Sequence, residues 1–432
     1  MKTILTSIAA GSLLAALASA QPQSRYTVTD LGTLPGGTFS QATAVSNNSF
    51  ISGLSAAADG TQHAVLWYQG RIIDISKPGL LGPNSGAFGI NPSGQAAVLA
   101  ESLVKDPKNE NFCAYGTGLK CLPFFWQGGV LTPLPLLGGN NGSIGNINSN
   151  GEVVGIAENG ISDPDCPHTV SPSGTGPQVL DFEAVIWVPK QGQIRVLRPL
   201  PGDTVGAALW INDLGQAVGA SGSCANTALP PLTFGPHAVL WDRDGSVTDL
   251  GNLGGTANMG LSINNQGQVV GASTLTAKSA PTEAHAFLWT KETGKMRDLG
   301  ALSGDTASVG LGINDGGDVV GASIDEDGNP RAYIWRNGAM HDLNTLVPTD
   351  SSLFLLFANA INNRGEIVGS GATNSGDVHA FLATPSNGPF ASESAAPAAQ
   401  SENSRMVLSD EVREKIRQRL PGRFVARPKE QR

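Results

Sequence analysis

One signature limits what this chain can fold into more than any other feature: Ile-Asn-x-x-Gly, in strict or relaxed form, recurs seven times. The fullest copy lies between Leu261 and Gly300. Ile263, Asn264, Asn265, Gln266 and Gly267 lead into Val269, Val270 and Gly271, and after a polar gap come His285, Ala286, Phe287, Leu288 and Trp289. Asn at the first position and Gly at the last favour a four-residue turn, and apolar residues on both sides make it a hairpin between two strands. Imperfect alternation in Ala286 to Trp289 suits a strand buried on both faces. A second tight turn, Lys291 to Gly294, pairs it with a strand from Met296 to Leu299. Four short strands in about 50 residues is the period of a propeller blade.

With the Ile as ruler, the units are anchored at Val45, Ile90, Ile147, Ile211, Ile263, Ile313 and Ile361, with spacings from 45 to 64. The extra length falls in one place, between the second and third strands. The turn Asn is replaced by Ser46 in the first unit, and the Trp of the third strand by Ala383 in the seventh. Repetition thus accounts for every Trp except Trp210. Three residues before the ruler the residue is small in six units (Ala42, Ala87, Ala208, Gly260, Gly310, Ala358), with Ile144 the exception. Small residues there point to the innermost strand, where blades crowd around an axis.

These observations predict an all-β fold: a seven-bladed β-propeller of four-stranded blades over residues 26–383, closed by an N-terminal strand. The chain leaves the pattern after Ala383, so the seventh blade lacks an outer strand, and Tyr26 to Gly32 is an unpartnered copy of that strand. Pairing the two shuts the ring and removes an exposed edge. An open solenoid is the other reading, and it needs end caps that the sequence does not offer.

The motif pieces resemble the HAF repeats, a family of exported repeat proteins named for a His-Ala-Phe triplet. The matching residues are His285, Ala286, Phe287, Leu288 and Trp289, then His379, Ala380, Phe381 and Leu382, with looser copies at His63 and His237. Asp-Leu-Gly followed by Leu-Gly-Gly, as in Asp249 to Gly255, matches as well. The resemblance covers about Tyr26 to Ala383 and implies an extracellular β-repeat domain without established catalytic residues. Unit two departs most, with Leu122 and Pro123 in place of His-Ala.

The ends of the chain read differently. Residues 1–20 form a signal peptide: Lys2, an apolar run from Ile4 to Leu17, and a small-x-small site at Ala18, Ser19 and Ala20. Residues 384–432 read as a flexible, Ala/Ser/Pro-rich linker and a short basic amphipathic helix, Asp410 to Leu420, suited to an acidic surface. No stretch is long and apolar enough for a transmembrane segment. Charged residues are only 15%, with a net charge of −9, which argues against nucleic acid as a partner.

Few residues look chemical. His63, His237, His285 and His379 repeat at one strand position, a structural signature; no metal-ligand spacing surrounds His168 or His341. Cys113, Cys121, Cys166 and Cys224 all fall in the insertions. An even count in an exported chain predicts disulfides, Cys113 with Cys121 inside one insertion and Cys166 with Cys224 between adjacent blades. Zinc is the alternative, without a Cys-x-x-Cys pair to support it. Asn47 and Asn141 sit in Asn-x-Ser sequons, usable in a eukaryotic secretory route.

Strand alternation puts the insertions and the inter-blade connections on one face, opposite the Asn-x-x-Gly turns. Thr38, Asn140, Asp203, Thr256, Asp305 and Asp350 line the chain's entry to the central strands there. They are candidate binding residues for sugar hydroxyls or for Ca²⁺, and equally ordinary turn residues. Asp325 to Asn329 has a fragment of a Ca²⁺ loop. The expected function is a secreted, non-catalytic scaffold that binds a glycan or an extracellular protein. The alternative is a polysaccharide hydrolase or lyase using Asp203, Asp305 or Glu183 on the insertion face.

Overall fold

A computed structural model describes residues 25–76, 79, 81–166, 178–225, 235–279, 283–386 and 412–413. Twenty-eight strands, β1 to β28 in chain order, form seven antiparallel four-stranded sheets, one per unit. The seventh sheet runs β1 (Tyr26–Gly32), β28 (Val378–Pro385), β27 (Ile367–Thr373), β26 (Leu353–Ile361), so the N-terminal strand does complete the last blade. Its register runs from Tyr26 opposite Pro385 to Gly32 opposite Ala380. Trp67 of blade one donates its indole N–H to the Leu31 carbonyl at 2.9 Å, which ties the closing strand to the first blade as well as the last.

The core lies between blades. Trp67, Trp187 and Trp241 are buried at the repeated third-strand position, and Ala383 fills it without exposure in blade seven. The Val-Gly pair of the second strand has a steric cause. A Cβ on Gly271 would overlap the Met259 carbonyl and come 3.0 Å from the Phe287 ring, so the Phe of His-Ala-Phe lies over a backbone that only Gly allows. Each innermost strand slips register just before its ruler residue, as between Gly260 and Ser262 and between Ala208 and Trp210. These bulges bend the strand and re-aim the residue that follows.

The first and third connections of each blade share one face, here the turn face; the second and the inter-blade connections share the other, the insertion face. One sequence expectation shifts: Cys121 lies inside the third strand of blade two, β8 (Leu119–Gln127), and not in the insertion. The segment expected to be a signal peptide, residues 1–20, and nearly all of the C-terminal region fall outside the described residues. Of the latter, Val412 and Arg413 are helical, and Val412, only 6% exposed, packs into an apolar cluster with Phe39 and Val378. No helix among the described residues is long and apolar enough to cross a membrane.

Candidate functional site

On the insertion face the structure gives three of the six anticipated binding residues partners of their own. Asp203 Oδ2 accepts from the Ser221 hydroxyl at 2.6 Å and faces His237 Nδ1 at 2.9 Å. Asp305 pairs with Arg331 at 2.8 Å, its side chain fully buried. Burial, which raises its pKa, outweighs the guanidinium, which lowers it. Asn140 accepts from Lys120 at 3.1 Å, and its backbone N–H donates to Glu158. Glu183 accepts from Asn159 at 3.2 Å, and burial raises its carboxyl above the ordinary value. Thr38, Thr256 and Asp350 are exposed. Asn140, Asp203 and Asp305 are thus held by neighbouring side chains, and the other three rim residues face solvent. Asp325 likewise spends its carboxylate on its own turn, accepting from the Asp327 and Asn329 N–H groups.

The repeated His has a partner that sequence spacing does not reveal. His63 meets Asp74 at 2.7 Å, His285 meets Asp298 at 3.0 Å and His379 meets Asp30 at 2.8 Å. Each of these His residues is held by an Asp of the neighbouring strand; Asp298 and Asp30 open Asp-Leu-Gly, and Asp74 is followed by Ile75 and Ser76. Burial works against the Asp298 carboxylate, but the bonds from His285 and Gly300 win and hold its pKa below the ordinary value. The Asp30 bond raises His379 correspondingly. In blade six Arg331 takes the position and bridges Asp305 and Asp342.

Both anticipated disulfides are present: Cys113–Cys121 and Cys166–Cys224, the second joining blades three and four. Beside the latter, Asp163 and Asp181 approach each other, and burial together with Asp163 pushes Asp181 up to about 6. Deeper, between blades two and three, Asn141 is fully buried. Its amide donates to Asp106 at 2.9 Å and to Glu158 at 3.2 Å. This corrects its reading as a glycan acceptor, because the folded packing leaves no room for a sugar on that nitrogen; Asn47 stays exposed. Burial and the neighbouring Glu110 push Glu158 up to about 8.

The turn face holds what the sequence did not announce. Each turn Asn accepts N–H bonds from its own turn and donates its amide to the turn carbonyl of the next blade. The relay runs Asn91 to Asn148, Asn148 to Asn212, Asn212 to Asn264, Asn264 to Asn314, Asn314 to Asn362 and Asn362 to Ser46, at 2.9–3.3 Å. Ser46 cannot continue it, and Asn48 donates to the Pro92 carbonyl instead at 3.0 Å. Above this ring the second turn residues form another: the N–H groups of Ser149, Asp213, Asn265, Asp315 and Asn363 each donate to the next side chain at 2.8–3.0 Å.

Inside the two rings, on the axis, lies a pocket of about 130 Å³, walled by the ruler Ile residues and turn Asn residues. Trp210 lines it. The corresponding residues in the other blades are Ala44, Gly89, Asn146, Ser262, Gly312 and Ala360, so a ring this large at that position belongs to blade four alone. Its uniqueness was the available signal; its direction depends on the bulge at Ala208/Trp210, which periodicity does not show.

Comparison with known proteins leaves the fold as the main result. Residues 206–407 match the family described as "Protein of unknown function (DUF3466)", which is under half of the chain. No curated protein matches it. Similar solved structures include an oligogalacturonate lyase from Vibrio parahaemolyticus, with 11% identity over 83% of this chain and 93% of that one and a TM-score of 0.45. YCF48, bound to a D1 peptide, is 10% identical over 86% and 97%, TM-score 0.47. TolB from Acinetobacter baumannii is 11% identical over 79% and 64%, TM-score 0.38. Likeness this distant carries nothing about chemistry.

Proposed function

We propose that this protein is a secreted, non-catalytic scaffold whose insertion face, at blades two and three, holds an extracellular protein partner. One observation carries the reading. The second strands of these blades, Ala96–Lys105 and Val153–Ser162, outrun the other second strands and raise Leu103, Val104 and Ile161 into solvent. Those side chains are 63%, 59% and 60% exposed, beside loops braced by the two disulfides. Aliphatic side chains held out on a rigid support suit a protein interface, since little ordering entropy is lost when they are covered. A glycan site would instead need convergent free oxygens, and Asn140, Asp203 and Asp305 are engaged locally. The disulfides are consistent with an extracellular or periplasmic compartment.

A hydrolase or lyase reading retains one supporting observation, the raised Asp181 carboxyl beside Asp163. The test uses the whole exported chain and a Leu103→Asp/Ile161→Asp variant as bait for extracellular proteins, with cross-linking to map the contact. The proposal expects a partner cross-linked to the insertion face and lost with the variant. Glycan-array binding that the variant leaves intact would overturn it. So would polysaccharide cleavage that Asp181→Asn abolishes.

A further inference from the structure

We infer that the axial pocket of the turn face is a second binding site, independent of the insertion face, and that it takes the ammonium end of an aliphatic amine. Among the residues lining the pocket the titratable ones are Asp213 and Asp315; no Lys, Arg or His lines it. Neither carboxylate has a cationic partner among the described residues within ion-pair distance. They flank one nitrogen: Asn265 Nδ2 lies 3.4 Å from Asp213 Oδ2 and 3.2 Å from Asp315 Oδ2, which also accepts from Asn363 Nδ2 at 2.7 Å. The mouth therefore already holds an N–H donor between two carboxylates, and their remaining lone pairs are suited to a charged donor more than to a neutral one.

The second part is the aromatic. Trp210 lines the same pocket, and an indole attracts an ammonium that reaches its face. The third part is size. A pocket of about 130 Å³ is close to a cavity that admits a benzene-sized group, so it takes the end of a chain and not a whole sugar or peptide fold. Carboxylates at the mouth, an aromatic and apolar Ile walls deeper in, and no competing cation together select an alkylammonium.

Such a group comes either from a free diamine or from a lysine side chain. Calorimetric titration of the full chain with 1,4-diaminobutane and with Nα-acetyl-lysine amide separates the two sources, and 1,4-butanediol supplies a neutral isostere. The inference expects at least one amine to bind, the diol not to bind, and the affinity to fall as salt rises. Asp213→Asn/Asp315→Asn keeps a side-chain oxygen to accept the Ser149 and Asn265 N–H groups of the ring and should weaken amine binding by about tenfold per carboxylate. Trp210→Phe, with circular dichroism to verify the fold, should weaken it less. Equal binding of amine and diol, unchanged binding in the double Asn variant, or no amine binding would each overturn the inference. None of these results bears on the insertion-face reading.

Discussion

Asn264 separates two roles that the turn Asn residues combine, local turn-making and blade-to-blade bonding. Its side chain is 4% exposed. Oδ1 accepts from the N–H groups of Gln266 and Gln268 at 3.0 and 2.9 Å; Nδ2 donates to Gln268 Oε1 at 2.7 Å and to the Asn314 carbonyl of the next blade at 2.9 Å. Asn264→Ala removes all four bonds. Gln266 and Gln268 are partly exposed, so water replaces the partner there at a cost of about 0.5–1 kcal/mol each. The buried Asn314 carbonyl keeps the Gly317 N–H at 3.0 Å, so losing its second donor costs about 0.5–1.5 kcal/mol. The expected loss is therefore about 1.5–3.5 kcal/mol, read from urea unfolding by linear extrapolation with the slope verified against wild type. Asn264→Asp keeps both accepted bonds, loses both donated ones, and turns an oxygen toward the Asn314 carbonyl. It should cost nearly as much at neutral pH and recover as the carboxyl protonates. If Asp were harmless while Ala cost the full amount, the turn alone would carry the effect. Loss under about 0.5 kcal/mol in both would refute the ring's contribution entirely.

Four further outcomes follow. Deleting residues 21–32 removes the buried Tyr26 and the outer strand of blade seven, and should abolish cooperative thermal unfolding of the whole ring; unchanged melting would contradict closure. Glu158, raised from its ordinary 4.5 to about 8, holds a proton when folded that the unfolded chain releases, so stability should decline from about pH 4.5 to 8. Glu158→Gln should flatten that decline in pH-dependent unfolding. Asp305→Ala should destabilise by about 1–3 kcal/mol, because Arg331 is left buried with Asp342 alone, while exposed Asp350→Ala should be neutral in the same assay. Val412→Asp should place a charge in the cluster with Phe39 and Val378, and limited proteolysis should then clip the C-terminal region faster than in wild type.

The architecture was legible because each blade repeats one hydrophobic pattern, and the closure because Tyr26 to Gly32 is a fourth strand without a third. The disulfides followed from an even count and from Cys residues grouped in or beside the insertions, although Cys121 lies in a strand. The partners of the insertion-face rim were not legible, for a physical reason. Asp203 and Asp305 sit in connections whose carboxylates are free in sequence terms, but their partners His237 and Arg331 are 34 and 26 residues on and reach them across strands. Nothing local marks such a pairing. Glu110 and Glu158 are a stronger case: they come from different units, and only the packing of blade two against blade three buries them together. Trp210 was visible as the one Trp outside the repeat, but its place on the axis needed the bulge before it.

The same hydrogen bonds explain why the chain's length varies where it does. Lengthening an Asn-x-x-Gly turn by one residue would displace its Asn and its second residue together, breaking the donated bond to the next blade and the accepted bond from the one before. In blade five those are Asn264 to Asn314 and Asn212 to Asn264, with Asp213 to Asn265 and Asn265 to Asp315 above them. The cost is shared by three blades. A loop between the second and third strands carries no such relay, so residues can be added at the loop-entropy cost alone, which grows slowly with length. Unit spacings therefore spread from 45 to 64 residues, while the turn from ruler residue to its fourth follower never changes length. Blade one supports this, because Ser46 breaks the relay and a second bond, Asn48 to Pro92, is made in its place. A face fixed this tightly suits a small pocket of defined geometry; a face free to grow suits a partner with a large surface.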